Sequence, residues 1–406
     1  MASVLLGSFS LASSLTAGSF VTKASWYKTQ KIQNEYLIVR HQQQHNLKHD
    51  YRYIEVASTS KERGRCYSMN AGSGESFEYE HQDPSPKSLL ASTKDSLYTF
   101  IRFIRPMPTI GITINIISAS LLAVENLSDI SPTFFIGLLK AIAVFLPMQI
   151  YNVSVNSLAD FEIDKINKPY LPMASGEYSR RTVIIIVASS LILSLGLGWI
   201  VGSLPLLWVI SSYFIFSSAY SINIICVTLS HTSTCKLPLL RWKRSSVLTI
   251  INYIVKFIML NLGLFLHMQT YVFKRPTMYP KSLVMAIVFV SIFAVVISLF
   301  KDLPDIEGDE KFGIRTLAVR LGPKWVFWFC ISLLEMAYGA AILFVGATSS
   351  SIWSKLITGL GHAFLASILW YHAKFVDVKS KTETLFFYKF IWKLYMAESF
   401  IIPFVR

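Results

Sequence analysis

An all-α integral membrane bundle of about nine transmembrane helices is predicted, and three features of the sequence predict it. Of the 406 residues, 53% are hydrophobic and only 15% charged, and the mean hydropathy is +0.47. A soluble domain rarely spares so little polar surface. The apolar residues gather into runs of near-spanning length. Two short acidic segments stand at the ends of such runs, where carboxylates are expensive to keep ionised without a partner.

In chain order, residues 1–34 contain no Asp or Glu, and Ser, Thr and scattered Lys dominate them. That is the composition of an organellar transit peptide, and its Ser-rich, Arg-poor start points to a plastid. The leader is expected over 1–70. Residues 71–95 stay polar and are expected to form a disordered linker, so the membrane domain is placed at 96–406. Spans are expected near 108–125, 132–151, 183–202, 203–222, 246–267, 282–300, 325–346, 352–371 and 384–405. The first is short, and the last carries Lys389, Lys393 and Glu398. Lys140, Lys256, Glu335 and Glu398 fall inside apolar runs, where they must face the bundle interior, pair, or snorkel. His267 and His362 read as hydrogen-bonded packing residues, since neither has a second metal-type residue at ligand spacing.

The formal charge of +14 sits partly in the leader and partly in loops such as Arg180-Arg181, Arg241-Trp-Lys-Arg244 and Lys274-Arg275. Basic loops beside a bilayer hold anionic headgroups or neutralise a phosphorylated substrate. No nucleic-acid partner is expected, because no basic stripe with interleaved aromatics and no binding motif is present. Cys66, Cys226, Cys235 and Cys330 form no CxxC pair, which argues against zinc and against a disulfide framework.

The acidic segments carry the chemistry. In Asn156-Ser-Leu-Ala-Asp160-Phe-Glu-Ile-Asp164, a carboxamide and two carboxylates recur every fourth residue and share one stripe of a helix. In Lys301-Asp302-Leu-Pro-Asp305-Ile-Glu-Gly-Asp309, three aspartates spaced three and four apart do the same; Pro304 suggests a helix start and Gly308 a loosened turn. Hard oxygen donors without His or Cys select Mg²⁺, which usually completes its shell with water and substrate phosphates. A diphosphate substrate is implied. Taken singly, either segment could be a solvated loop, but two matched segments, each followed by a basic helix-breaking stretch, favour the functional reading.

These residues carry a resemblance. The first segment runs on into Lys165-Ile-Asn-Lys168-Pro-Tyr-Leu-Pro-Met-Ala-Ser-Gly-Glu177, the second into Phe312-Gly-Ile-Arg315-Thr-Leu-Ala-Val-Arg-Leu-Gly322. Together they resemble the two signatures of UbiA-type membrane prenyltransferases, in particular the plant plastid branch that includes homogentisate prenyltransferases and enzymes that prenylate phenolics. The resemblance covers about residues 95–406. It implies nine spans around a central cavity in a plastid envelope or thylakoid membrane. Asn156, Asp160 and Asp164 would serve one metal ion, Asp305 and Asp309 another, with Asp302 an added contact. Asp160, Asp164, Asp305 and Asp309 would form the catalytic core, and Lys168, Lys301, Arg315, Arg241 and Lys243 would neutralise the diphosphate. Ser157 stands where relatives commonly carry Gln or Asp. Ile224–Lys236 reads as an insertion in the loop that the family uses as a lid.

The resemblance implies Mg²⁺-assisted ionisation of an allylic diphosphate, followed by attack of an electron-rich ring. Trp353–His362, Phe390–Leu394 and the Ile402–Arg406 end look like legume flavonoid and isoflavonoid dimethylallyltransferases. A dimethylallyl donor and a flavonoid-type phenolic acceptor are therefore expected. The alternative is a homogentisate phytyl-, geranylgeranyl- or solanesyl-transferase. A cation-coupled membrane carrier is the reading from another class; it predicts charge on both sides of the midplane and inverted repeats, and neither is visible.

Overall fold

The computed structural model describes residues 89–221, 242–348 and 352–404. The leader, the 224–236 insertion and Arg241 lie outside them. Among the described residues every regular element is helical. Helix α1 spans Leu89–Phe103, α2 Pro106–Leu121, α3 Pro132–Ala159, α4 Phe161–Asn167, α5 Arg180–Val201 and α6 Leu204–Ser221. After the gap come α7 Ser246–Leu266, α8 Lys281–Phe300, α9 Ile306–Lys311, α10 Leu317–Leu321, α11 Pro323–Thr348, α12 Ile352–Ala373 and α13 Lys381–Ile401.

Local chemistry fixes the helix ends. Prolines open α2, α3 and α11, where a missing N–H costs nothing. Ser179 accepts from Thr182 N at the start of α5, and Ser245 and Ser380 do the same for α7 and α13. Gly202 closes α5 at φ 67°, a left-handed conformation that favours glycine. Helix α7 runs on into a π-turn, His267–Val272, where the apolar run was expected to stop.

Among the described residues, seven helices are long and apolar enough to cross a membrane. They match the seven inner spans expected from the sequence. The first and last differ. Helix α2 has 16 residues, about 24 Å of rise, less than a bilayer core needs. Helix α13 has the length, but Lys381, Glu383, Lys389, Lys393 and Glu398 lower its hydropathy. The expected linker over 71–95 is helical from Leu89 onward, because Leu97, Tyr98 and Ile101 already belong to an amphipathic pattern.

The helices pack as a ring: α2 against α3, α3 against α6, α6 against α7, α7 against α8, α8 against α11, α11 against α12, and α12 and α2 against α13. Helix α5 lies outside, on α3, and shows Ile185, Ile192, Trp199 and Ile200 to the surroundings. Exposed residues of that kind mark a hydrocarbon-facing surface. The interior is aromatic: Phe145, Tyr213, Phe293, Phe300 and Phe327 are fully buried.

The intramembrane ionisable groups resolve individually. His267 is a packing residue, with Nδ1 2.8 Å from Ser203 Oγ and Nε2 3.2 Å from Gly137 O. His362 Nε2 lies 3.0 Å from Glu398 Oε1. Lys140 lies over the Tyr271 ring. Lys256 faces the cavity described next.

Candidate active site

A cavity of about 690 Å³ is enclosed by α2, α3, α4, α6, α7 and α13, together with the turn between α8 and α9. The predicted stripe lines it, with one change. Helix α3 ends at Ala159, and Asp160 adopts φ −103°, ψ 11°, so Asp164 belongs to the separate helix α4. The four-residue register survives this break: Asp160 N donates to Asn156 O at 2.9 Å, Asp164 N to Asp160 O at 2.7 Å and Lys168 N to Asp164 O at 2.8 Å. Ser157 is buried on another face and is not among the cavity residues.

In the second segment, Lys301 to Asp305 form a turn, and Asp305 stands at the N-cap position of α9 without a capping hydrogen bond from its side chain. That helix starts two residues after Pro304. Gly308 serves a close approach, not a loosened turn. Its N–H donates to Asn167 Oδ1 at 3.0 Å, Asn167 Nδ2 donates to Asp305 O at 3.0 Å, and a Cβ on Gly308 would stand 2.3 Å from Asn167 Oδ1. Asn167 thus pins α4 to α9. Sequence reasoning did not single it out, although it stands between Lys165 and Lys168 in the quoted motif.

Four of the five aspartates are held by cations. Lys243 forms an ion pair with Asp160. Lys168 Nζ lies 2.5 Å from Asp305 Oδ2 and 3.7 Å from Asp164 Oδ1. Lys301 Nζ lies 2.6 Å from Asp302 Oδ1. Arg105, also missed, donates from Nη1 to Asn156 Oδ1 at 3.3 Å and sets Nη2 3.5 Å from Asp164 Oδ2. Its backbone is left-handed, φ 54°, which marks a strained position at the site. The signal was present: an arginine immediately before a Pro-opened span. Asp309 has no ion pair among the described residues. Arg315 is exposed and does not line the cavity.

Burial sets the electrostatics. It opposes charge on Lys168 and Lys301, but Asp305 and Asp302, respectively, outweigh it and hold both ammoniums above the ordinary lysine value. Burial, then Lys301, pushes Lys243 down to about 7, while Asp309 works the other way. Burial, then Asp302 and Asp305, pushes Asp309 up to about 7. Positive charge is therefore short around Asp309, and Asp305 Oδ1 is buried without a hydrogen-bond partner. Among the described residues no three carboxylates form a ready metal cluster. The donors are nonetheless all oxygen, and the charge of Asp309, which no described cation pairs, suits a hard divalent cation.

A profile of the UbiA prenyltransferase family matches residues 114–394, most of this helical domain. The chain belongs to the UbiA prenyltransferase family. Among relatives, the chloroplastic naringenin 8-dimethylallyltransferase 2 of Sophora flavescens is 50% identical over 423 residues, covering 100% of each chain. The chloroplastic homogentisate phytyltransferase 1 of Arabidopsis thaliana is 52% identical over 316 residues, covering 78% of this chain and 77% of its own. A UbiA homolog from Archaeoglobus fulgidus bound to GPP and Mg²⁺ superposes with TM-score 0.52 at 16% identity, covering 75% of this chain and 99% of its own. That likeness shows that this UbiA family member shares the fold.

Proposed function

We propose that this UbiA family member, an aromatic prenyltransferase of a chloroplast membrane, transfers a dimethylallyl group from dimethylallyl diphosphate to a ring carbon of a flavonoid-type phenolic. One observation carries the reading: a charged mouth and an aromatic interior share one cavity, with Asp160, Lys168, Lys243 and Asp305 at the mouth and Tyr213, Tyr253, Phe257 and Trp392 within. The full-length likeness to a naringenin dimethylallyltransferase supports this choice of substrates.

Asn156, Asp160, Asp164, Asp302, Asp305 and Asp309 are the residues that would hold Mg²⁺. When bound, the ion supplies Lewis-acid charge at the diphosphate. The chain's own cations, Arg105, Lys168, Lys243 and Lys301, add to that field and offset charge gathering on the departing diphosphate. Arg241, beyond the described residues, is assigned the same role. The allylic C–O bond breaks with its electron pair leaving on the diphosphate, a ring carbon forms the new C–C bond, and the ring proton is lost. Aromatic faces in the cavity stabilise the allylic cation, and the apolar walls exclude the water that would quench it. Residues 1–70 act as the transit peptide.

The second reading is homogentisate phytylation, favoured by the 52% identity to a homogentisate phytyltransferase across the membrane domain. Membranes carrying the full chain, supplied with Mg²⁺, dimethylallyl or phytyl diphosphate, and either a flavanone or homogentisate, separate the two by product mass. One five-carbon unit on the flavanone establishes the first reading. Phytylated homogentisate, with the flavanone unchanged, establishes the second.

A further inference from the structure

Beyond the charged mouth, the cavity contains a second polar cluster that the metal and diphosphate leave unused. Lys256 lies ten residues into α7, about 15 Å of helix from its start, and is buried in the membrane-spanning region. Its Nζ donates to Asn152 Oδ1 at 2.9 Å and to Ser217 Oγ at 2.8 Å, and lies 5.3 Å from the centroid of the Tyr213 ring. No carboxylate is among these partners. An ammonium has three donors, so one remains. One turn earlier on the same helix, Asn252 is 1% exposed, lines the same cavity, and has no partner for either Nδ2 or Oδ1.

A buried cation without a counter-ion and a wholly unsatisfied carboxamide, one turn apart, are costly unless something answers them. The occupant must carry an oxygen that accepts from Lys256 and also pairs with the Asn252 carboxamide, as an acceptor from Nδ2 or a donor to Oδ1. It must also enter through an aromatic cavity. We propose that Lys256 and Asn252 form the phenol-binding end of the acceptor site. A phenol accepts from Lys256 and donates to Asn252 Oδ1; a phenolate accepts from both side chains. The ring is thereby held with its oxygen away from the diphosphate mouth. This rests on the reading of the chain as a phenol prenyltransferase.

The test uses the purified full-length protein in detergent, with a flavanone and its fully O-methylated ether as probes. The flavanone is expected to raise the melting temperature of the wild type and of Lys256→Arg, but not of Lys256→Met, while the ether raises none. In turnover, Lys256→Met is expected to raise the flavanone KM about tenfold or more, the worth of one charge-assisted hydrogen bond, with the donor KM unchanged. Equal stabilisation of wild type and Lys256→Met by the flavanone, or an equal rise in both KM values, would overturn the assignment. If Lys256→Met does not fold, Asn252→Leu carries the same comparison. Flavanone binding that depends on Lys256 without prenyl transfer sinks the proposed reaction and keeps this site. Transfer at an unchanged acceptor KM in Lys256→Met does the reverse.

Discussion

Asn167 joins the two acidic segments through hydrogen bonds to Gly308 N and Asp305 O, so the aspartates converge only as well as that side chain is seated. Gly308→Ala forces a Cβ against Asn167 and is expected to cost about 1–3 kcal/mol, as overpacking does. Asn167→Ala loses both bonds. Combined, the two changes should cost little more than Asn167→Ala alone, because the clash disappears with the side chain; chemical denaturation in detergent measures the cycle. Asp160→Ala and Asp305→Ala are expected to abolish Mg²⁺-dependent turnover without unfolding the bundle. Wild-type rates in either would remove these carboxylates from the reaction. Outside the site, Asp129 accepts from Arg275 Nη2 at 2.6 Å and Nη1 at 3.1 Å, and these bonds, followed by the Asn126 N–H, hold its carboxyl down to about 2. A depressed carboxyl stabilises the fold above its ordinary value near 3.8 and stops doing so as pH falls toward 2. Asp129→Asn should therefore flatten the decline in melting temperature between those limits. The aspartate stripes could be read from spacing because spacing is local; Asn167 could not, since its partner Asp305 lies 138 residues away, and for Arg105 the sequence showed its place before a Pro-opened span but not its partner Asn156, 51 residues away.

At the level of helices, the sequence revealed what hydropathy controls. The seven inner spans are apolar over whole bilayer lengths, so their existence followed from composition, whereas α2 and α13 face the cavity or its rim and keep polar residues that blur the pattern. The π-turn after α7 and the break at Asp160 were illegible, because each depends on packing between helices distant in sequence. Glycines show the same dependence. A Cβ on Gly263 would meet Val209 Cγ2 at 2.2 Å, so α6 and α7 approach closely only because that position is bare. Gly263→Leu should lower the melting temperature and turnover together, since α7 also carries Lys256 and Asn252. Gly359→Ala on α12, with nothing within 4 Å of its Cβ position, serves as the silent control.

Across the whole molecule, the two acidic segments terminate helices from different halves of the chain, and a cation between them would tie those halves together. Sites of this kind differ in what happens when the metal is removed. A structural metal supplies folding free energy outright, and chelation unfolds the protein. Here Lys168, Lys243, Lys301 and Arg105 already neutralise four of the five aspartates, and Asn167 fastens α4 to α9 without any ion. Chelation should therefore leave the melting temperature nearly unchanged in detergent while abolishing prenyl transfer, and added Mg²⁺ should restore activity. The lysines also predict competition, because an ion entering the cluster must displace ammonium groups from the same carboxylates. Lys168→Met should accordingly tighten the apparent Mg²⁺ affinity while slowing turnover, since in the proposed reaction the cation that pairs with Asp305 at rest also offsets charge on the departing diphosphate. Titration of Mg²⁺ against both binding and rate measures the two effects separately. A weaker affinity in Lys168→Met would mean that the lysine supports the ion instead of standing in for it.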